Sequence, residues 1–267
     1  PVEKLKSFLN KFGVIKINDG ILNFRSDSVE NVDIILKSEG NIKFNGNFDF
    51  SKLKSRIIFD FTEDISNSFK FIIQQKINQR NKIDYKGKLS ISGNNIFING
   101  KAFSSFLNLD EIFPNIAQSN LIKNKIRHYV NATNAKNLIN LDFEIEKINF
   151  FKSNFIFTKF NLNLFENKIY IKNFISNFKK SPISGFLNVN LRKKALDGKL
   201  TVKKFYIKKD YFGSTKIDFY DGYANCFADF KLDFKSNDFV KLTNNLKSSG
   251  KCNIGKIKIT GVDISKI

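Results

Sequence analysis

Side chains that could carry catalysis are scarce in this sequence and form no known motif. His128 is the only histidine, so no histidine pair is available to bind a metal ion or relay protons. The chain has no phosphate-binding P-loop, no nucleophile elbow and no dinucleotide-binding fingerprint. We therefore expect neither an enzymatic activity nor a metal or cofactor site.

The two cysteines, Cys226 and Cys252, are the remaining reactive groups, and each lies in a strand-like stretch. Two cysteines are too few for a disulfide scaffold. Pairing requires a Cα separation that depends on the fold. We interpret them as two half-buried free thiols, and their pairing stays open at this point.

The charge of the chain is strongly positive, at +20. Only five of the basic residues are arginines, whose forked guanidinium groups are preferred for reading bases and phosphates. The lysines are spread through the whole chain rather than collected in one block. This pattern indicates a solvated outer face and argues against nucleic acid as a partner. An anionic membrane surface is the better functional alternative.

The most regular feature of the sequence is an alternation of apolar and polar residues from position 138 to position 234. Leu141, Phe143 and Ile145 alternate with three acidic residues, for example. A period of two is typical of a strand with one dry and one wet side. Such strands, joined by short turns, predict a long antiparallel sheet.

The candidate binding residues are the apolar positions where this alternation is most regular, because alternate residues of a strand share one side. They are Leu141, Phe143, Ile145, Phe155, Phe157, Phe160, Leu162, Leu164, Ile169, Ile171, Leu187, Val189, Leu191, Phe230, Leu232 and Phe234. The alternation shifts by one residue between Phe157 and Phe160, which predicts a bulge or turn near Thr158 and Lys159. Each candidate would also suit an ordinary core, so both roles remain open.

Helical spacing of apolar residues would allow a short helix at Val2–Phe12 and occurs in three further places. It predicts helices at about 64–80, 107–130 and 238–246. The predicted fold is therefore mainly β with a few helices (α+β): a long, curved antiparallel sheet that forms an open groove or half-barrel. Three helices give little cover for so many strands, and uncovered apolar surface suggests a ligand or a membrane. The alternative is that the helices close an ordinary core.

Several stretches together resemble one protein family. Residues 246–252 (LKSSGKC) and 255–264 (GKIKITGVDI) are similar to the closing motif of AsmA-like proteins of the bacterial envelope. Residues 15–24 (IKINDGILNF) resemble a strand, Asp-Gly turn and strand near the front of that family. Residues 107–114 (LNLDEIFP) resemble its step into a helix. The resemblance extends over nearly all of the chain.

This resemblance implies a function and a location. AsmA-like proteins are anchored in the inner membrane of Gram-negative bacteria, face the periplasm and act in outer-membrane homeostasis. Their similarity to β-groove lipid-transfer proteins implies that phospholipid is the partner. The candidate residues would then contact acyl chains in an open groove. The alternative is a closed β-rich structural or interaction domain that docks an anionic membrane or a protein.

The sequence contains no methionine and begins at Pro1, so we interpret it as a piece of a longer chain. We expect the membrane anchor to lie outside it, in an N-terminal helix. Residues 1–267 are expected to form one elongated β-rich region, with a subdivision into 1–135 and 136–267 as the other arrangement.

Overall fold

The structure is a computed structural model that describes most of the chain. The described residues are 2–24, 27–39, 41–50, 55–65, 67–93, 95–112, 138–150, 153–207, 218–220, 222–233, 245–255 and 258–260. Within them the fold is mostly β with two short helices, as the alternation predicted.

The helices are α1 (Val2–Phe12) and α2 (Leu109–Ile112). The first strands are β1 (Ile15–Phe24), β2 (Asp27–Glu39), β3 (Asn41–Phe50), β4 (Ser55–Ile65), β5 (Ser68–Lys76), β6 (Lys82–Ser92), β7 (Asn95–Ser104) and β8 (Leu107–Asn108). The later strands are β9 (Leu138–Phe150), β10 (Ser153–Phe165), β11 (Lys168–Phe178), β12 (Ser181–Asn190), β13 (Ala195–Ile207), β14 (Asp218–Tyr220), β15 (Gly222–Asp233), β16 (Leu246–Ile254) and β17 (Lys258–Thr260).

Fifteen of these strands form one sheet in nearly sequential order. The order is β1 to β7, then β9 to β13, then β15 and β16, with β8 paired to β9 at the side. Neighbours are antiparallel except where β7 and β8 run parallel to β9. The sheet is open and curved and does not close into a barrel. It contains strands from both sides of residue 135, while β14 and β17 pair in a separate two-stranded sheet.

Glycines allow strands to approach closely inside this curved sheet. Gly87 and Gly100 face each other across β6 and β7, and a Cβ on Gly87 would collide with the Asn99 carbonyl oxygen. Gly198 on β13 lies beneath the ring of Phe230, where a Cβ would also collide. Such positions bend a sheet without displacing its neighbours.

The helix predicted at 64–80 is wrong. Residues 55–65 and 68–76 are antiparallel strands, followed by a bend at 77–80. Phe71 is buried while Ile72 beside it is 65% exposed, which is a strand alternation. The apolar residues of this stretch fit both a helical and a strand period. Pairing with β4 and β6 decides between them, because it satisfies backbone groups on both sides of β5.

The other two predicted helices lie mostly outside the described residues, and there they stay predictions. Of the range 107–130, residues 107–108 are strand β8 and 109–112 are the short α2, and the remainder lies outside the described residues. Of the range 238–246, Leu246 begins strand β16, opposite Leu232, and residues 238–244 lie outside the described residues.

The Asp-Gly turn expected within residues 15–24 is absent as well. Strand β1 continues through Asp19 and Gly20, with register irregularities on either side of Gly20. Asp19 has φ of +50°. The left-handed conformation that Asp tolerates thus produces a bulge here instead of a hairpin.

A candidate apolar binding face

The candidate residues form rows that run across the strands. Directly opposed residues in neighbouring strands share one side of a sheet. The central row consists of Leu141, Leu162, Ile171, Leu187, Gly198 and Phe230, on β9, β10, β11, β12, β13 and β15. We call this side of the sheet the apolar face and the other side the outer face.

A second row lies beside the central one, and each of its residues is two positions away from the central-row residue of the same strand. It consists of Ile139, Leu164, Ile169, Val189, Leu196 and Leu232. On the other side of the central row, Phe143 and Phe160 stack with ring centroids 4.7 Å apart. The sequence alternation therefore becomes a continuous apolar surface over six strands.

The apolar face continues into the first half of the chain. Leu141 lies opposite Gly100 on β7, and the central row extends through Gly87, Phe71, Phe61, Phe44, Leu36 and Ile15. Phenylalanine rings on β3, β4 and β5 contact one another there, with Phe44 and Phe59 centroids 4.9 Å apart. The face thus reaches from β1 to β15.

The outer face is mostly polar along the same strands, although Phe186 on β12 and Phe227 on β15 are exposed there. Lys159 and Glu144 form an ion pair of 2.7 Å between β10 and β9. Asn161 donates hydrogen bonds from Nδ2 to Asn140 Oδ1 at 2.7 Å and to Asp142 Oδ1 at 2.8 Å. The two faces differ in chemistry as the period-two pattern predicted.

The predicted bulge near Thr158 and Lys159 is confirmed. The register between β10 and β11 shifts between Ile156 and Lys159, and Phe157 has φ of +52°. Phe157 is 64% exposed, so it is not brought together with the other candidates. Phe155, on the far side of the bulge, contacts Phe178 with centroids 5.3 Å apart.

Most of the other candidates lie together on the apolar face. Leu191 is half-buried in the turn after β12, where its N–H donates to the Asn167 carbonyl oxygen at 2.8 Å. Phe234 and the single histidine, His128, lie outside the described residues. Ile145 is almost fully buried, at 3% exposure, whereas Leu141, Leu162 and Leu187 are half-buried.

Sequence reasoning missed two hydroxyls in the floor of this face. Thr158 and Ser176 are both buried, and their hydroxyl oxygens are 2.8 Å apart in a hydrogen bond. Ser176 reaches this side because Asn173, at φ of +53°, lies in a register shift of β11. No sequence signal separates this serine from others in the chain, because the side of the sheet on which it lies is set by the register shift at Asn173.

Neutral groups dominate the polar positions of the face. Burial raises the pKa of Tyr85 to about 12. Its hydroxyl donates a hydrogen bond to Gln75 Oε1 at 3.3 Å. The carboxylate of Glu63 is buried near the β1 end of the sheet and accepts a hydrogen bond from the Ile42 N–H at 2.9 Å. The rows between β9 and β15 carry uncharged side chains, which suits an apolar ligand.

In the part of the chain that the structure describes, helical cover is limited to α2 at β9 and to α1 at the β1 end of the apolar face. There, α1 inserts Leu9 against Ile42, both 1% exposed, with Ile15, Leu36 and Phe69 packed around them. The four-residue α2 packs against β9. No described helix lies over the rows from β10 to β15. None of the described helices has the length and apolar character needed to cross a membrane.

The two cysteines form a disulfide, so the interpretation as free thiols is wrong. Cys226 on β15 and Cys252 on β16 are directly opposed and joined. Cys226 also lies opposite Val202, and thus in line with the apolar residues of β13. The bond therefore ties the edge strand β16 to the rest of the sheet.

Comparison of the chain with protein-family models, with curated proteins and with solved structures found no match.

Proposed function

We propose that this chain is a non-enzymatic lipid-binding module whose apolar face holds phospholipid acyl chains. The observation that carries the proposal is the continuous apolar surface of β9 to β15, over which no described helix lies. The side chains of its central and second rows are half-buried. A ligand that covers them would gain about 25 cal/mol of binding free energy for each Å² of apolar surface removed from water.

The dimensions of the face suit acyl chains. The central row from Leu141 to Phe230 crosses six strands. At about 4.8 Å per strand it extends over roughly 24 Å. The acyl chains of one leaflet fill about 15 Å, half of the hydrocarbon core of a bilayer. One row is therefore long enough for a whole acyl chain.

The resemblance to AsmA-like proteins extends this proposal to a place and a process. In this reading the chain belongs to a protein of the Gram-negative periplasm that is anchored in the inner membrane. It takes part in phospholipid transport between membranes or in outer-membrane assembly. The apolar face supports the ligand class, and the family resemblance supports the location.

Native mass spectrometry of the purified chain tests the ligand directly. We expect co-purifying phospholipid, and transfer of labelled phospholipid between vesicles. The variant Leu187→Asp, on the central row, should lose both. Phe157→Asp makes the same kind of change at an exposed position away from the rows and should retain them. A folded wild-type chain without lipid and without transfer activity would contradict the proposal.

A second candidate is a structural or interaction domain that docks an anionic membrane or a protein partner through its outer face. Lys86 and Lys101 support it, because they are directly opposed on β6 and β7 and both exposed. This reading predicts that Lys86→Glu with Lys101→Glu weakens docking while Leu187→Asp has no effect on it. The proposed lipid-binding module predicts that lipid occupancy responds to Leu187→Asp alone.

A further inference from the structure

Helix α1 buries only part of its apolar side against the sheet. Leu9 is 1% exposed and contacts Ile42. Leu5 and Phe8, on the same side of the helix, remain 38% and 46% exposed. In a helix this short, side chains one turn apart lie next to each other. Leu5 and Phe8 therefore form an apolar stripe beside Leu9 that the sheet covers only in part.

The exposed apolar surface continues just after the helix. Gly13, at φ of +81°, ends α1, and its N–H donates to the Leu9 carbonyl oxygen at 2.7 Å. This left-handed C-cap turns the chain into edge strand β1. Val14, the next residue, is 51% exposed.

Basic side chains flank this stripe. Lys4 and Lys11 are exposed and lie four residues before and three residues after Phe8, so they border it on the helix surface. Lys16 is exposed on β1. The helix carries three lysines and one glutamate. Lysine stems can lie along apolar surface while the ammonium groups reach outward.

We propose that Lys4, Leu5, Phe8, Lys11 and Val14 form a docking surface for an anionic lipid bilayer. Exposed apolar side chains bordered by lysines match the boundary between acyl chains and anionic headgroups. Leu9 holds the helix on the sheet, so α1 would lie flat in that boundary. This docking surface goes beyond lipid binding in the apolar face and does not depend on it. Docking would bring the bilayer to the β1 end of the face.

Vesicle sedimentation tests the charge contribution. The intact chain should bind vesicles of equal parts phosphatidylglycerol and phosphatidylcholine, bind phosphatidylcholine alone poorly, and release at high salt. Lys4→Glu with Lys11→Glu should weaken binding roughly 25-fold, from about fivefold for each lysine near an anionic surface. The matched change Lys193→Glu with Lys194→Glu, at two exposed lysines of the turn after β12, should leave it within about twofold. Equal loss in both pairs, or no binding by the intact chain, would overturn the proposal.

Tryptophan fluorescence tests insertion itself, because the chain has no tryptophan. The variant Phe8→Trp should shift its emission to the blue when anionic vesicles are added, since the ring moves into an apolar layer. Phe157→Trp, at the exposed bulge of β10, is the control and should not shift. A Phe8→Trp emission unchanged by vesicles would sink the proposal, whatever the lipid content of the apolar face.

Discussion

Phe143 on β9 and Phe160 on β10 stack with ring centroids 4.7 Å apart and an interplanar angle of 7°. They are directly opposed in the antiparallel pair. Tyr85 meets Phe143 edge-on from β6, with centroids 6.3 Å apart. The aromatic surface thus crosses the parallel junction of β7 and β9, where Ala102 leaves room between the rings.

The stacked pair should show energetic coupling. Phe143→Ala and Phe160→Ala each remove a half-buried ring, and the double variant should be less destabilised than the sum of the two. Aromatic pairs contribute about 0.5–1.5 kcal/mol beyond area burial. Denaturant unfolding of the four proteins in a double-mutant cycle measures this term. Additivity within about 0.3 kcal/mol would show that the rings act independently.

The hydroxyl pair of Thr158 and Ser176 allows a related test. Thr158→Val leaves the buried Ser176 hydroxyl without this partner, which should destabilise the sheet by about 1–3 kcal/mol. Adding Ser176→Ala removes the second hydroxyl and should recover part of that loss. Chemical unfolding of the single and double variants checks the sign. A double variant less stable than Thr158→Val would contradict the hydrogen-bonded pairing.

Sequence patterns predicted the sheet best where one side of each strand meets water. In β9, acidic residues alternate with Leu141, Phe143 and Ile145, so only a strand fits the spacing of the apolar residues. In β5, by contrast, Ile72 is apolar on the outer face, and this side chain made the spacing resemble a helix. A strand is recognised by the contrast between its two faces. One apolar residue on the outer face is therefore enough to make a strand period and a helix period hard to distinguish.

The sequence did not predict the register between strands, that is, which residues face each other across a strand pair. Whether Cys226 and Cys252 face each other depends on how β15 pairs with β16, which local residue patterns do not determine. The same holds for Ser176, whose side is set by the bulge at Asn173. The candidate face was predictable as a list of residues, whereas the partners across the strands were not.

The disulfide should be detectable by alkylation. Unreduced, unfolded protein should take up no iodoacetamide, and reduced protein should take up two equivalents. Cys226→Ala with Cys252→Ala should lower the free energy of unfolding by about 2–4 kcal/mol, because the bond closes a loop between residues 26 apart. Modification of either cysteine before reduction would show that the thiols are not paired.

The phenol of Tyr85 predicts an alkaline loss of stability. Burial raises its pKa to about 12 from an ordinary 10.0. The folded state therefore favours the protonated phenol. This contribution to stability is complete below pH about 10 and is lost as the pH rises toward 12. Unfolding midpoints across this range should fall more steeply for the wild type than for Tyr85→Phe. Parallel curves would place Tyr85 in contact with water.

Aspartate substitutions on β9 and β10 separate an open face from a closed core. Leu162 is half-buried on the central row, and Ile145 is 3% exposed. On an open face, Leu162→Asp keeps its carboxylate in water, so it should destabilise by no more than about 1–2 kcal/mol and abolish lipid occupancy. Ile145→Asp buries an unpaired charge and should unfold the chain, with a loss above about 4 kcal/mol.

Measuring both the melting temperature and the bound lipid of each variant decides between these outcomes. Leu162→Met preserves the apolar volume and is the matched control, which should keep both the melting temperature and the bound lipid. If Leu162→Asp unfolds as completely as Ile145→Asp, the central row is covered, because an exposed carboxylate would not carry that penalty. The apolar face would then be the core of a closed β domain, and the proposed binding of acyl chains would fail with it.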